Sequence, residues 1–452
     1  MSTIALRNTE ISIVEEVTEN TPVNEIALGA LIFTADGIEV NIDRELIPSN
    51  EITASLTKTS PQPGMYSEDL GFSVTMNIKG KGTKSAPEWA MFMKSIMGQQ
   101  NANTDNTVAA APGPTTDLFT TTVGQDFTLG QLILVNDEVI RIDGIATDAL
   151  TVFPPLSATP VSTDPISAGI SWMLSSTSHP SFTSYIYFED LLRLRLAGCK
   201  VTNCEMNFEV GQNATMAFTV KALTPTYDRT AQAVTPTYDS TTQPLMCLGI
   251  TSKTIFSGVI TGSPTTTETI LVAPNFQVTT SDSIIVDVGS GVYETKAISA
   301  VTGTEGTNQT LTHATLSGAG TATETCYIVH NQCGYVKDTL TITIEMADVA
   351  KKCMVSSSGF SGRDFTERTV NISRSPFFTD WSEFLMRDNV IGSALQVVLG
   401  DTANNIFAVN VAKQIIGESS LVTDELMSVD SSLQAVKDAV LGNDHEIAIA
   451  TF

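Results

Sequence analysis

The chain has 452 residues, with 24 Lys and Arg against 49 Asp and Glu, for a formal net charge of -25. Apolar and aromatic residues make up 42%, enough for a packed core and against wholesale disorder, and the length suggests about two to four domains. Charged residues are only 16%, and so acidic a chain repels phosphate, which argues against a non-specific nucleic-acid binder.

Strand signals dominate from the start. Leu31–Val40, Glu51–Lys58 and Phe72–Lys79 are short β-branched or alternating runs between polar and Gly/Pro stretches. A helix follows: Ser85 as N-cap, Pro87 in the first turn, then Trp89, Phe92, Met93, Ile96 and Met97 on one face, ended by Gly98. Asn101–Pro114 reads as a low-complexity linker. It leads into short strand runs over Phe127–Gly169. Leu191–Leu196 sets Leu192, Leu194 and Leu196 against Arg193 and Arg195. Cys199–Val210 and Asn213–Val220 form a hairpin over Gly211–Gln212. A second set of short runs covers Val278–Val288, Val292–Ile298, Gln309–Leu316 and Thr325–Val329. Thr339–Glu345 alternates Leu340, Ile342 and Ile344 with threonines. Helices are expected over Thr379–Arg387 and Ser431–Leu441, and a last strand over Glu446–Phe452.

The tryptophan helices expose a duplication. Trp89-x-x-Phe92-Met93 matches Trp381-x-x-Phe384-Leu385, and Phe72…Asn77-Ile78 upstream matches Phe365…Asn371-Ile372. Each strand enters its helix through a proline, Pro87 or Pro376. The two sets of short runs lie outside this repeat and read as small β-barrel-like or sandwich-like insertions of one kind.

No chemistry announces itself. GxSxG, GxxxxGK[ST], HExxH and GxGxxG are absent, and Gly80–Ser85 lacks the spacing of a phosphate loop. His179, His313, His330 and His445 are scattered. Asp36-Gly37 and Asp143-Gly144 read as turns, and Asp364 with Glu367 lacks a calcium-site pattern. Cys199, Cys204, Cys247, Cys326, Cys333 and Cys353 are irregularly spaced and read as reduced core thiols, with no zinc set. The expectation is no enzyme, with no catalytic, cofactor-binding or metal residues. Apolar runs such as Gly130–Val135 are too short for a membrane helix. Met1–Glu19 carries Glu10, Glu15 and Glu16 and does not read as a secretory signal, so folding in a cytoplasm is expected. Thr-rich strands without lysine guards suit burial in a subunit contact, since no ion needs desolvating.

The run Leu194-Arg-Leu-Ala-Gly198-Cys199-Lys-Val201-Thr-Asn-Cys-Glu-Met206-Asn-Phe208, then Gln212-Asn-Ala-Thr215-Met-Ala-Phe218-Thr-Val220, resembles a segment of the tail tube proteins of long non-contractile-tailed bacteriophages. Asp424-Glu-Leu, Leu433-Gln-Ala-Val436-Lys-Asp and Glu446-Ile-Ala-Ile449 resemble the end of that family, where an acidic run precedes a helix and a final strand. The resemblance covers about Asn24–Gln100, Ser178–Thr224 and Lys337–Phe452. It implies a mainly β fold: two tandem tail-tube β-sandwich modules, each with a flanking helix, plus the two insertions. The first module takes residues 1–114 and 172–245, with 115–171 inserted. The second takes 246–254 and 331–452, with 255–330 inserted. It further implies a structural protein of the virion tail, assembled in the host cytoplasm. Sixfold rings would be built from three chains, with a single-unit hexamer as the runner-up. The implied partners are the chain itself, the tape-measure protein and transiting DNA in an acidic lumen, and terminator and distal tail proteins at the tube ends, with no membrane. Ile47–Gly64 and Ser356–Phe365 are the expected loops to an adjacent ring. The rival is a secreted or cell-surface β-sandwich adhesin or carbohydrate binder.

Overall fold

Period-two alternation of apolar and hydroxyl side chains runs along the long strands and sorts them into layers. Gly71–Asn77 buries Phe72, Val74 and Met76 and turns Ser73 and Thr75 outward. Tyr335–Lys352 buries Leu340, Ile342 and Ile344 beneath Thr341 and Thr343 in the same way. The computed structural model describes residues 9–24, 38–48, 60–80, 86–122, 124–188, 192–229, 242–247, 251–261, 267–272, 277–289, 291–304, 307–318, 325–331, 335–356, 358–378, 381–402, 405–423 and 426–452. The result is a mainly β protein with large antiparallel sheets and two short helices among the described residues. The expected strand at Glu51–Lys58 and the Ser85 cap lie outside the described residues.

A front sheet sets eight strands side by side. Their order is Ile38–Asn41, Gly71–Asn77, Thr215–Lys221, the C-terminal part of Leu192–Glu209, Tyr335–Lys352, Phe360–Pro376, Met427–Ala435 and the C-terminal part of Asn405–Thr423. Two of the long strands, Leu192–Glu209 and Asn405–Thr423, bend and continue into a back layer with their N-terminal parts. There Leu192–Glu209 pairs with Phe182–Phe188 and Thr224–Asp228, and Thr9–Glu15 lies beyond Phe182–Phe188. Asn405–Thr423 pairs with Ser393–Thr402 and Ile447–Thr451, and Thr251–Ile260 lies beyond Ser393–Thr402.

The halves therefore repeat the same six strand pairings in the same chain order, and the registers agree. Val40, Phe72, Val220 and Val201 face one another in one row of the first half; Ile342, Ile372, Leu433 and Ile416 do so in the second. A bulge follows each row, at Val201/Asn203 and at Ile416/Glu418. This register sets Phe72 against Ile372 rather than Phe365. An alternating strand matches itself under any even slip, and the path from strand to tryptophan is shorter in the second half.

Helix Ala90–Met97 begins after Trp89, buries Phe92, Met93, Ile96 and Met97, and ends at Gly98. Gly98 sits at φ +89, and a Cβ there would strike the Ser178 carbonyl, so glycine is required. Helix Ser382–Asp388 begins after Trp381 at the equivalent place. The helix expected at Ser431–Leu441 does not form. Val429, Ser431, Leu433 and Ala435 are buried alternately along strand Met427–Ala435, and the residues that follow make a turn. Leu433, Val436 and Val440 suit a helical face only if the strand period upstream is ignored.

Each insertion is a closed six-stranded barrel of one topology. The first runs Asn106–Thr107, Pro165–Ser167, Leu132–Val135, Glu138–Ala146, Ala149–Phe153, Leu118–Thr120, closed by the Val108–Thr121 bridge. The second runs Thr251–Ile260, Thr325–Asn331, Ser283–Asp287, Tyr293–Thr302, Gln309–His313, Thr267–Val272 and back to the first. In both, the ring order visits the barrel's own first, sixth, third, fourth, fifth and second strands, numbered along the chain. The first barrel begins earlier than residue 115: Asn106–Thr107 is its first strand and Val108 is fully buried, so part of the expected linker belongs to its core.

Candidate functional site

The front sheet packs one face on the helices and back layer and leaves the other open. Because directly opposed residues share a face, the ladders define the rows of that open face. One row reads Glu39, Ser73, Thr219, Asn203, Glu345 and Thr369. The next reads Thr75, Ala217, Glu205, Thr343, Asn371 and Gln434. A third ends on Ser373, Ser432 and Glu418. Hydroxyls and amides cover the surface, and Glu39, Glu205, Glu345 and Glu418 give it negative charge. Thr341 donates to Asn207 at 2.8 Å, and Asn207 to Glu205 at 2.7 Å. Lys221 is held by Asp69 and Asp348 at 3.1 and 3.2 Å.

The joint between the halves is itself a strand ladder: residues 203–209 pair with residues 339–345, Met206 opposite Ile342. Buried charges lock it beside the ladder. Lys200 reaches Glu19 at 3.0 Å and the Arg363 carbonyl at 2.7 Å, and the Arg363 amide donates to Glu19 at 2.7 Å. Arg363, 1% exposed, pairs with Asp348 and donates to the Glu68 carbonyl. Arg363 lies below the usual guanidinium range because burial disfavours its charge, against the opposing pull of nearby carboxylates such as Glu68 and Asp69.

The two edges that meet at this joint recur, without a strand partner among the described residues, at the ends of the front sheet. Residues 418–423 are the counterpart of 203–208; they pair with Met427–Ala435 on one side only. Ile38–Asn41 is the counterpart of 340–343 and pairs only with Gly71–Asn77. Cys204, Met206 and Phe208 are buried at the internal joint, whereas residues 417–423 are exposed or half-buried. The Ser419 carbonyl accepts from Arg387 at 3.3 Å.

The long hairpins end in apolar tips. Arg44–Ile47 pairs with Gln62–Tyr66, and between them residues 49–59 lie outside the described residues. Leu46 and Ile47 are exposed there, and Met354 and Val355 are fully exposed at the tip joining Tyr335–Lys352 to Phe360–Pro376. Met65 and Tyr66 pack against Phe360, which places the two tips side by side. The expected second loop at Ser356–Phe365 is shorter than that, since Phe360 is already buried strand. At the opposite end of the same strands, Phe377, Trp381, Leu426 and Met427 are exposed.

Residues weighed for chemistry are brought into other contacts. Asp143 binds Arg141 at 2.6 Å, and Arg141 reaches Asn410 at 2.9 Å, fastening the first barrel to the second half. Asp364 pairs with exposed Lys351 at 2.6 Å. His330 lies 2.5 Å from buried Asp282, whose other oxygen accepts from the Thr279 amide. His313 bonds the Ala314 carbonyl at 2.8 Å. Asp36-Gly37 lies outside the described residues. No cluster of three metal-ligating side chains occurs among the described residues, and no helix among them is long and apolar enough to cross a membrane.

His179 abuts the Ser95 carbonyl at 3.1 Å and the edge of Phe365, between the halves. Burial lowers its pKa against the raising effect of the Ser95 and Ser175 carbonyls; burial lowers that of His445 too, against Asp444 and Glu446. The folded chain therefore binds these protons less well than the unfolded chain. Stability is full above about pH 7 and falls as pH drops through about 6.5 toward the depressed folded values. The melting temperature should decrease from pH 7 to 5, and His179→Gln should flatten that slope. Burial also raises the thiols, Cys247 to about 11 and Cys199 and Cys204 further. In a Cys333→Ser background, iodoacetamide at neutral pH should label Cys353 and spare Cys199, Cys204 and Cys326, read by peptide mass.

The tandem repeat of pairings and the recurrent edges were only partly visible in the sequence; the shared bulge after Val201 and Ile416 has no residue-type signal. Compared with protein-family models and with curated proteins, the chain matches none.

Proposed function

We propose that the chain is a structural protein that joins edge to edge into closed rings, which stack into a tube: the tail tube of a long non-contractile-tailed phage. One observation carries this reading. The halves are joined by a strand ladder, and both edges of that ladder recur, unpaired among the described residues, at the ends of the sheet, so the joint can repeat from chain to chain. Repeated head-to-tail contacts close into rings when the rotation permits, and closure removes the exposed edges. The family that the sequence resembles has sixfold rings; with two units per chain, three chains suffice.

The open face then lines the channel. Its carboxylates repel phosphate and outweigh the neutral hydroxyl and amide donors, so DNA passes without adhering. A tape-measure protein occupies the same lumen before DNA, and terminator and distal tail proteins cap the ends. The barrels lie outside, where additions disturb the assembly least. Rings stack through the Met354–Val355 and Leu46–Ile47 tips of one ring against the Phe377, Leu426 and Met427 end of the next.

Electron microscopy of the purified chain tests the reading: rings or tubes with three chains per ring are expected, and isolated globules at every concentration reject it. Val355→Asp with Met354→Asp should leave rings intact and shorten or abolish tubes. Globules that bind an oligosaccharide would favour the adhesin.

A further inference from the structure

The two tryptophans that open the helices are equivalent in the repeat and opposite in environment. Trp89 is 1% exposed and Trp381 is 53% exposed. Part of what covers Trp89 comes from the other half: the Phe407 ring stands edge-on at 5.9 Å. Trp172 also packs against it at 4.7 Å, on a strand that has no counterpart after the second helix.

Phe407 has a counterpart. It lies near the start of Asn405–Thr423, opposite Leu399; Leu192 begins Leu192–Glu209, opposite Phe188. Farther along, Val411 opposite Leu395 matches Leu196 opposite Ser184, so the register holds over the whole segment. Leu192 is 37% exposed. The first half thus carries the surface that would cover a tryptophan, and the second half carries a tryptophan left open.

We propose that Trp381 of one copy is covered by the Leu192 end of a second copy, while residues 418–423 of the first pair with Ile38–Asn41 of the second. The register is that of the internal joint, so Leu421 lies opposite Val40 as Met206 lies opposite Ile342. Both contacts fall on the same neighbour, because Phe407 and residues 339–345 both belong to the half that follows the first. The occupant is a second copy because the chain already contains one instance of this contact. The inference rests on the ring reading and specifies its seam.

The test uses the full chain and its three tryptophans. Trp89 and Trp172 are buried in the single chain, so a change in tryptophan emission on assembly reports Trp381. Emission should shift to the blue as rings form, and Trp381→Phe, a mild change, should remove the shift. In a Cys353→Ser, Cys333→Ser background, Leu421→Cys with Val40→Cys should cross-link on oxidation into covalent multimers. Leu421→Cys with Ile38→Cys, displaced by two residues, should cross-link at least about tenfold less, since a disulfide does not span a diagonal neighbour without backbone movement. Rings without an emission shift, or with equal cross-linking of the two pairs, overturn the seam and leave the ring reading standing. A chain that stays monomeric at all concentrations overturns both. Emission that responds to an oligosaccharide rather than to chain concentration overturns the seam in favour of a sugar site.

Discussion

Asp348→Ala should destabilise the unassembled chain by about 3–5 kcal/mol, measured by denaturant unfolding. Arg363 is 1% exposed, and Asp348 is the carboxylate its Nη1 meets. Removing that partner leaves a buried guanidinium with only the Glu68 carbonyl and more distant acids around it. The cost is that of an uncompensated buried charge, which exceeds the net worth of the pair. Asp348→Leu with Arg363→Met should therefore recover most of the loss. The double variant should retain its fold, since the strand ladder at residues 203–209 does not depend on the pair.

Trp172→Ala should cost about 3–5 kcal/mol as well, by a different route. Trp172 is fully buried in strand Ile170–Leu174, which pairs with Gly98–Asn101 on one side and with Ile447–Thr451 on the other. Its ring lies tilted against that of Trp89, which in turn meets Phe407 edge-on. Truncation opens a cavity in the main core beside Trp89, where strand Ile170–Leu174 joins the first half to Ile447–Thr451 of the second. Trp172→Phe should cost markedly less: most of the ring stays, and the indole N–H finds no acceptor among the described residues. Denaturant midpoints of the two variants distinguish cavity formation from a lost hydrogen bond.

Alternation along Thr339–Glu345 and Leu191–Leu196, the apolar face after Trp89 and the Trp–Phe repeat are local patterns. Strand and helix periods leave them on the chain itself, and so the β class, the first helix, the duplication and the barrel-like insertions were legible. Ser431–Leu441 was misread because a short apolar run satisfies both periods, and pairing with Phe360–Pro376 and Asn405–Thr423 decides for the strand. The slip of Phe72 against Phe365 has the same origin: a two-residue period carries no absolute register.

The candidate site was the least legible part. Composition alone set the acidic, hydroxyl-rich character of the surface, because a strand with one open face exposes every second residue, and those residues are drawn from a chain rich in Thr, Ser and carboxylates. Which carboxylates share the open face, which edges remain single, and why Trp89 is covered while Trp381 is not depend on partners hundreds of residues away. Those are matters of ladder register and of burial by the other half, and only the folded chain decides them.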